Sequence, residues 1–209
     1  MLFARAKPLA RIGARGDEAF LITSGFVKIL ADSAEGRTIL LAVRMPGDLV
    51  GELAALDGRP RTASVQAASQ VTATVISAAA MTEHMSNRPV VAAAVRDTLT
   101  ARLREAVEYR IELDNAAPVL RRLARGLCLL AERCGRPAPD GTLIAAPLSQ
   151  ADLSCLVSTT EQSLRRALAT LRGSGAVRWE YRTAVITDLD RLREIAGIRL
   201  AMPGRRSTT

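Results

Sequence analysis

The sequence predicts an α+β fold in three parts, and three observations carry that prediction. Residues 8–79 alternate short apolar, β-branched runs with Gly-containing turns. Residues 88–115 hold no glycine, keep their one proline near the start, and repeat apolar residues at three- to four-residue steps. Beyond them come two short helical patterns joined by a tight turn, then a hairpin pattern. The three parts are set at 1–86, 87–116 and 117–209.

In the first part, Ala19-Phe20-Leu21-Ile22, Phe26-Val27-Lys28-Ile29-Leu30 and Thr38 to Val43 read as strands, with turns at Ser24-Gly25 and Ala34 to Arg37. Ser64 to Ala67 and Val71 to Ile76 read as two more. Regular short strands of this kind suit a small sandwich or barrel. Between them, Met45-Pro46-Gly47-Asp48 turns the chain into Gly51-Glu52-Leu53-Ala54-Ala55, a short helical turn, followed by Arg61-Thr62-Ala63. A helix start presents backbone N–H groups to an anion. Arg61 can fork onto phosphate oxygens and Thr62 can add a hydroxyl donor. Glu52 can accept from a sugar hydroxyl. Gly51, Glu52, Leu53, Arg61 and Thr62 are therefore the candidate ligand residues, and a sugar phosphate is the expected ligand. The alternative is a surface loop in which Arg61 pairs with Glu52. On the ligand reading, Arg61→Ala should abolish binding and leave the fold intact.

Residues 88–115 read as one long amphipathic helix, with Val91, Val95, Leu99, Leu103 or Ala106, Arg110 or Ile111, and Leu113 along its stripe. A helix of this length pairs readily with its own copy. Asn115-Ala116-Ala117-Pro118 breaks it, and Val119 to Cys134 forms the next helix, stopped by Gly135. Arg136 to Gly141 reads as a loop. Ser149 and Asp152 stand at capping-box spacing before a short helix, and Ser158 and Glu161 repeat that spacing before a second one. On the second helix Leu164, Ala167, Leu168 and Leu171 face inward. The opposite side carries Thr159, Gln162, Arg166 and Thr170, with Arg165 flanking. Two short helices around a tight turn form a helix-turn-helix. Val177 to Glu180 and Ala184 to Thr187 make a wing with Arg182 near its tip, where it and Arg178 can meet phosphates. Thr159, Thr160, Glu161, Gln162, Arg165, Arg166 and Arg182 are the candidate DNA contacts.

Charge supports this division. The net charge is +8, and residues 116–209 hold 15 Lys/Arg against 8 Asp/Glu, whereas residues 1–115 hold 14 against 13. A basic part joined to a neutral one suits a polyanion partner. Cys128, Cys134 and Cys155 form no Cys-x-x-Cys pair, and His84 is the only histidine, so no metal site is expected. The cassette carries no nucleophile–base pair, which argues against a hydrolase or transferase. No leader segment is visible, and no apolar run reaches the ~20 residues needed to span a bilayer. A cytoplasmic location without membrane association is expected.

Strand-rich cassette domain, long helix and winged helix-turn-helix, in that order, resemble the cyclic-AMP receptor protein (CRP/FNR) family of bacterial transcription regulators. The resemblance rests on Ser24-Gly25, Glu35-Gly36, Gly47-Asp48, Gly51-Glu52, Arg61-Thr62-Ala63, Arg122-Leu123-Ala124 and the helix-turn-helix. It implies a cyclic-nucleotide-binding β-roll, a dimerisation helix, and a homodimer on a palindromic operator in double-stranded DNA, with cyclic AMP or cyclic GMP as effector and RNA polymerase as a candidate partner. A regulator of the same fold that needs no effector is the alternative. Four departures stand out. A helix and strand that the family places before the Pro8–Gly25 segment are missing. Ala106-Val107-Glu108 stand where cyclic-AMP-responsive members carry adjacent Thr and Ser. Glu161-Gln162 replace the usual Arg-Glu at the start of the recognition helix, with Arg166 retained, so the preferred half-site should differ. The N-terminal cysteine cluster of the oxygen-sensing members is absent.

Overall fold

The computed structural model describes residues 1–113 and 116–198. Its N-terminal part is built from β1 (Leu2–Phe3), β2 (Pro8–Ala10), β3 (Glu18–Ser24), β4 (Val27–Asp32), β5 (Thr38–Arg44) and β6 (Leu49–Val50), then helix α1 (Glu52–Asp57), β7 (Ser64–Ala67) and β8 (Val71–Ser77). They form two antiparallel four-stranded sheets, ordered β1-β8-β3-β6 and β2-β7-β4-β5. Phe20, Ile22 and Val71 from the first sheet and Val27, Val65 and Ala67 from the second share one buried core. The period of two in each strand sends these residues inward.

Helix α2 (Ala78–Asn87) leaves the roll, with Ser77 Oγ accepting from the Ala80 N–H at 3.2 Å. It stands apart from α3 (Pro89–Glu112), which begins where the sequence placed the long helix; α2 itself was not read from the sequence. Pro89 forces the residue before it out of the helical region, and Arg88 sits at φ −136°. The apolar residues of α3 do not share one fate. Val95 is buried, whereas Leu103, Val107 and Ile111 are 69%, 52% and 63% exposed. Asn115, within the expected break, lies outside the described residues.

The C-terminal part runs α4 (Val119–Cys134), β9 (Gly135–Ala138), β10 (Gly141–Ile144), α5 (Gln150–Leu156), α6 (Glu161–Gly173), β11 (Val177–Glu180), β12 (Thr183–Ile186) and α7 (Leu189–Ala196). The segment expected as a loop over 136–141 instead supplies a hairpin, since β9 pairs with β10 at the edge of the sheet β11-β12-β10-β9. Pro137 is tolerated there because an edge strand can lack one ladder donor. Leu123, Leu127, Leu153, Leu164 and Leu171 centre a core that continues onto Leu40 and Val43 of β5, so the two parts are packed together. Lys28 to Asp152 and Arg133 to Asp48 add ion pairs across that junction at 2.6 and 2.7 Å.

Candidate ligand cavity and nucleic-acid interface

A cavity of about 280 Å³ opens between the cassette and α3, lined by Gly51, Glu52, Leu53, Arg61 and Thr62 from one side and by Arg102, Glu105, Ala106 and Tyr109 from the other. All five residues selected from the sequence thus meet at one place. Leu53 and Thr62 are exposed at it. Arg61 plays a different part from the one expected. It is 7% exposed, donating Nη1–H to the Gly51 carbonyl and Nη2–H to the Glu18 carbonyl, both at 2.6 Å. Its guanidinium also lies 6.0 Å from the Phe20 ring centroid. Gly51 at φ 77° lets the backbone turn beneath it, and a Cβ there would stand 2.5 Å from Arg61 Nη1. A Cβ on Gly16 would stand 2.4 Å from Nη2. Arg61 therefore ties β3 to the start of α1, and removing it cannot leave the local fold untouched.

The Arg61–Glu52 pair of the alternative reading does not form. Glu52 is 3% exposed, and Arg102 reaches it from α3, donating Nη1–H to Glu52 Oε1 and Nη2–H to the Leu49 carbonyl. One turn further along, Arg44 donates from Nη1 and Nη2 to the two oxygens of Glu105 at 2.8 and 2.7 Å. Burial pushes the Arg44 guanidinium down, but the Glu105 hydrogen bonds and charge outweigh it and leave it above its ordinary value. Burial, reinforced by Glu105, pushes the Tyr109 phenol up to about 12. The long helix is thus joined to the roll by two ion pairs of opposite polarity. Arg102, Glu105, Arg44 and Tyr109 were not found from the sequence. Arg44, a cation ending an apolar strand, was the one visible signal.

In the C-terminal part, α5 and α6 stand in the helix-turn-helix arrangement. The Ser149–Asp152 capping box forms as expected, with Asp152 Oδ2 accepting from the Ser149 N–H at 2.8 Å and Ser149 Oγ accepting from the Asp152 N–H at 3.1 Å. The second box does not form. Ser158 lies in the left-handed region at φ 48°, a turn position rather than a cap. Thr160 is the cap, its Oγ1 accepting from the Ser163 N–H at 3.2 Å. Buried Arg122 braces the turn by donating from Nε to the Val157 carbonyl and from Nη1 to the Ala117 carbonyl, both at 3.0 Å.

Glu161, Gln162, Arg165 and Arg166 are all exposed on α6. Thr159 is half-buried instead, beside a cavity of about 550 Å³ shared with Arg37, Thr38 and Cys155. At the wing tip Tyr181 is 88% exposed, whereas Arg182, at φ 66°, is half-buried beside a narrow crevice that Trp179 and Ala184 also line. Arg178 donates to Asp140 at 2.7 Å and pairs with Glu180 at 3.3 Å. Burial raises the Cys155 thiol. Among the described residues no cluster of potential metal ligands forms, and no helix is long and apolar enough to cross a membrane.

Residues 2–88 match the cyclic nucleotide-binding domain family, and residues 121–195 match the Crp-like helix-turn-helix domain. Over 190 residues, 91% of this chain and 84% of the other, the sequence is 30% identical to a CRP-like cAMP-activated global transcriptional regulator of Mycobacterium tuberculosis. The chain belongs to the CRP/FNR family of transcription regulators. It is also 28% identical over 199 residues to the cyclic AMP receptor protein of Thermus thermophilus, covering 93% of this chain and 87% of that one. A CRP-family transcriptional regulator from Thermus thermophilus superposes with a TM-score of 0.80 at 24% identity, covering 94% of this chain and 96% of the other. Within this family the chain is a DNA-binding regulator and not an enzyme, and its two matched segments fall on the roll and on the winged helix-turn-helix.

Proposed function

We propose that this protein is a homodimeric, sequence-specific transcription regulator whose roll takes a cyclic nucleotide or a similar phosphorylated ligand. The observation that carries the effector reading is the cavity between the cassette and α3, whose wall is shared by both. A ligand held at Thr62 and Glu52 on one side and α3 on the other has different contacts whenever α3 moves. Only such a difference lets a ligand shift a protein between two states. Two recognition helices carried by a dimer would then be brought to the spacing of two operator half-sites about 34 Å apart. Gln162, Arg165 and Arg166 lie exposed on α6, where base edges of a palindromic site are within reach, and RNA polymerase is a further partner of the bound dimer.

A second reading is favoured by one contact. Arg102 already occupies Glu52, and with Arg44–Glu105 it fixes α3 on the roll without any ligand. A regulator built this way binds DNA without an effector. Calorimetric titration with cyclic AMP and cyclic GMP, paired with operator selection from random DNA, separates the two. Saturable binding that changes operator affinity supports the first reading. Operator binding with no heat from either nucleotide supports the second. Failure to select any operator overturns both.

A further inference from the structure

Resting on the effector reading above, we propose that Tyr109 is a two-position switch between the roll cavity and the DNA-binding part, and that an effector acts by closing one of the two positions. The ground is the place of one ring. Tyr109 lines the cavity of about 280 Å³ from α3. Among the hydrophobic side chains described there, it alone also packs against the core of the C-terminal part. It lines a second cavity as well, of about 460 Å³, together with Asp48 of the roll and Leu129 and Arg133 of α4. Charges reach its phenol from both directions, Glu105 and Arg44 at the roll and Arg133 on α4.

Three features give the ring two positions. An aromatic side chain on a helix keeps to two wells about its first torsion, near 180° and −60°, and lies over the preceding turn. In that turn Glu105 is fixed by its two hydrogen bonds from Arg44, and Ala106 offers only a methyl group. The room above that methyl belongs to the roll cavity. The Tyr109 hydroxyl has no hydrogen-bond partner among the described residues, so no polar contact ties the ring to either well.

The two positions differ in what they do to α4. In the one described, the ring and Leu113 fill space against the C-terminal core, and α4 is supported from α3. Turned into an empty roll cavity, the ring withdraws that support and widens the gap beside Leu129. Close-packed interiors do not absorb the loss of a ring by small even shifts, so α4 takes a different seat. Leu123 and Leu127 of α4 share a core with Leu153 and Leu164 of the helix-turn-helix, so the recognition helix moves with it. A ligand in the roll cavity occupies the room that the second position needs. It therefore binds the supported arrangement better, which is the condition for shifting a two-state equilibrium.

Two measurements test this, with cyclic AMP and cyclic GMP as the probes. The chain holds two tyrosines, Tyr109 and Tyr181, so labelling with fluorotyrosine gives two fluorine NMR signals, and Tyr181→Phe assigns them. Without nucleotide the Tyr109 signal should report two environments, as a split or exchange-broadened line. A saturating nucleotide should leave one. The second measurement is the coupling factor, the operator affinity with nucleotide divided by that without, in which a uniform loss of affinity cancels. It should be about fivefold or more in the wild type. Tyr109→Phe should keep it, because the ring remains and the hydroxyl has no partner to lose. Tyr109→Ala should bring it to within about twofold of unity, in a variant shown by circular dichroism to be folded. A single Tyr109 line that a bound nucleotide leaves unmoved would overturn the switch and leave the effector reading standing. So would a coupling factor that survives Tyr109→Ala. Binding of neither nucleotide would overturn the effector reading and the switch with it.

Discussion

Lys28 Nζ stands 2.6 Å from Asp152 Oδ1, joining β4 of the roll to the first helix of the helix-turn-helix. Both side chains are mostly buried, at 14% and 12% exposed. Asp152 also closes the capping box of α5, so one carboxylate serves the helix start and the junction between the two parts. Burial alone would raise its carboxyl, but Lys28 and the Ser149 hydrogen bonds outweigh that and hold it below the ordinary carboxylate value.

The pH dependence follows from that direction. A carboxyl lowered on folding contributes stability above its unfolded value of about 3.9, and that contribution is lost as pH falls through the lower folded value. The pair should therefore be insensitive to pH near neutrality and weaken only below about pH 4. Lys28→Ala leaves burial opposed by Ser149 alone, so the carboxyl should rise and the acid loss should begin at higher pH. Urea unfolding of both proteins across the acid range, with NMR titration of Asp152, measures this. The variant should lose about 1–3 kcal/mol at neutral pH, and an unchanged acid limb would contradict the assigned role.

Arg61→Ala should now do more than remove a cation from the cavity. It strips the charged donor from the half-buried hydrogen bonds to the Gly51 and Glu18 carbonyls, each worth about 1.5–3 kcal/mol. Thermal unfolding should show a clear loss along with the loss of any nucleotide binding. Arg61→Lys should fall between, since an ammonium cannot fork onto both carbonyls. A variant as stable as the wild type would show that these two hydrogen bonds contribute nothing.

The exposed row Leu103, Val107 and Ile111 recurs every four residues on α3 and should lie in the dimer seam. Burying an apolar side chain of this kind is worth about 1.5–3 kcal/mol. Val107→Glu should therefore shift the protein toward monomer. Light scattering at micromolar concentration checks it, and a wild-type mass equal to one chain would remove the basis for the seam.

On the DNA side, Gln162→Ala and Arg166→Ala should relax base preference at single positions, each at about 1–3 kcal/mol. Arg182→Ala should weaken all sequences alike and lower the salt slope by about one. The half-buried placement of Arg182 makes that second effect the more demanding test. Selection from random DNA with each variant decides it. Unchanged preference and affinity for Arg166→Ala would mean that α6 does not enter the groove.

The sequence by itself determined the order of the parts, the positions of β3, β4, β5, β7, β8 and the wing strands, the cassette and the two helices of the helix-turn-helix. Those features are local: period-two and period-3.6 patterns, turn glycines and the Ser149–Asp152 cap are written within a few residues of one another. Only the tertiary structure decided what each charge does. Arg61 and Glu52, nine residues apart in the cassette, do not pair, because β3 offers Arg61 a carbonyl and α3 offers Glu52 an arginine 50 residues away. Ser158 has the spacing of a cap, yet the tight turn places it left-handed and passes the role to Thr160. The edge hairpin at Pro137 and the Lys28–Asp152 junction likewise depend on which strand or helix arrives alongside. A buried charge or an edge strand takes its partner from whatever the fold brings into reach, and the sequence pattern around it carries no record of that partner.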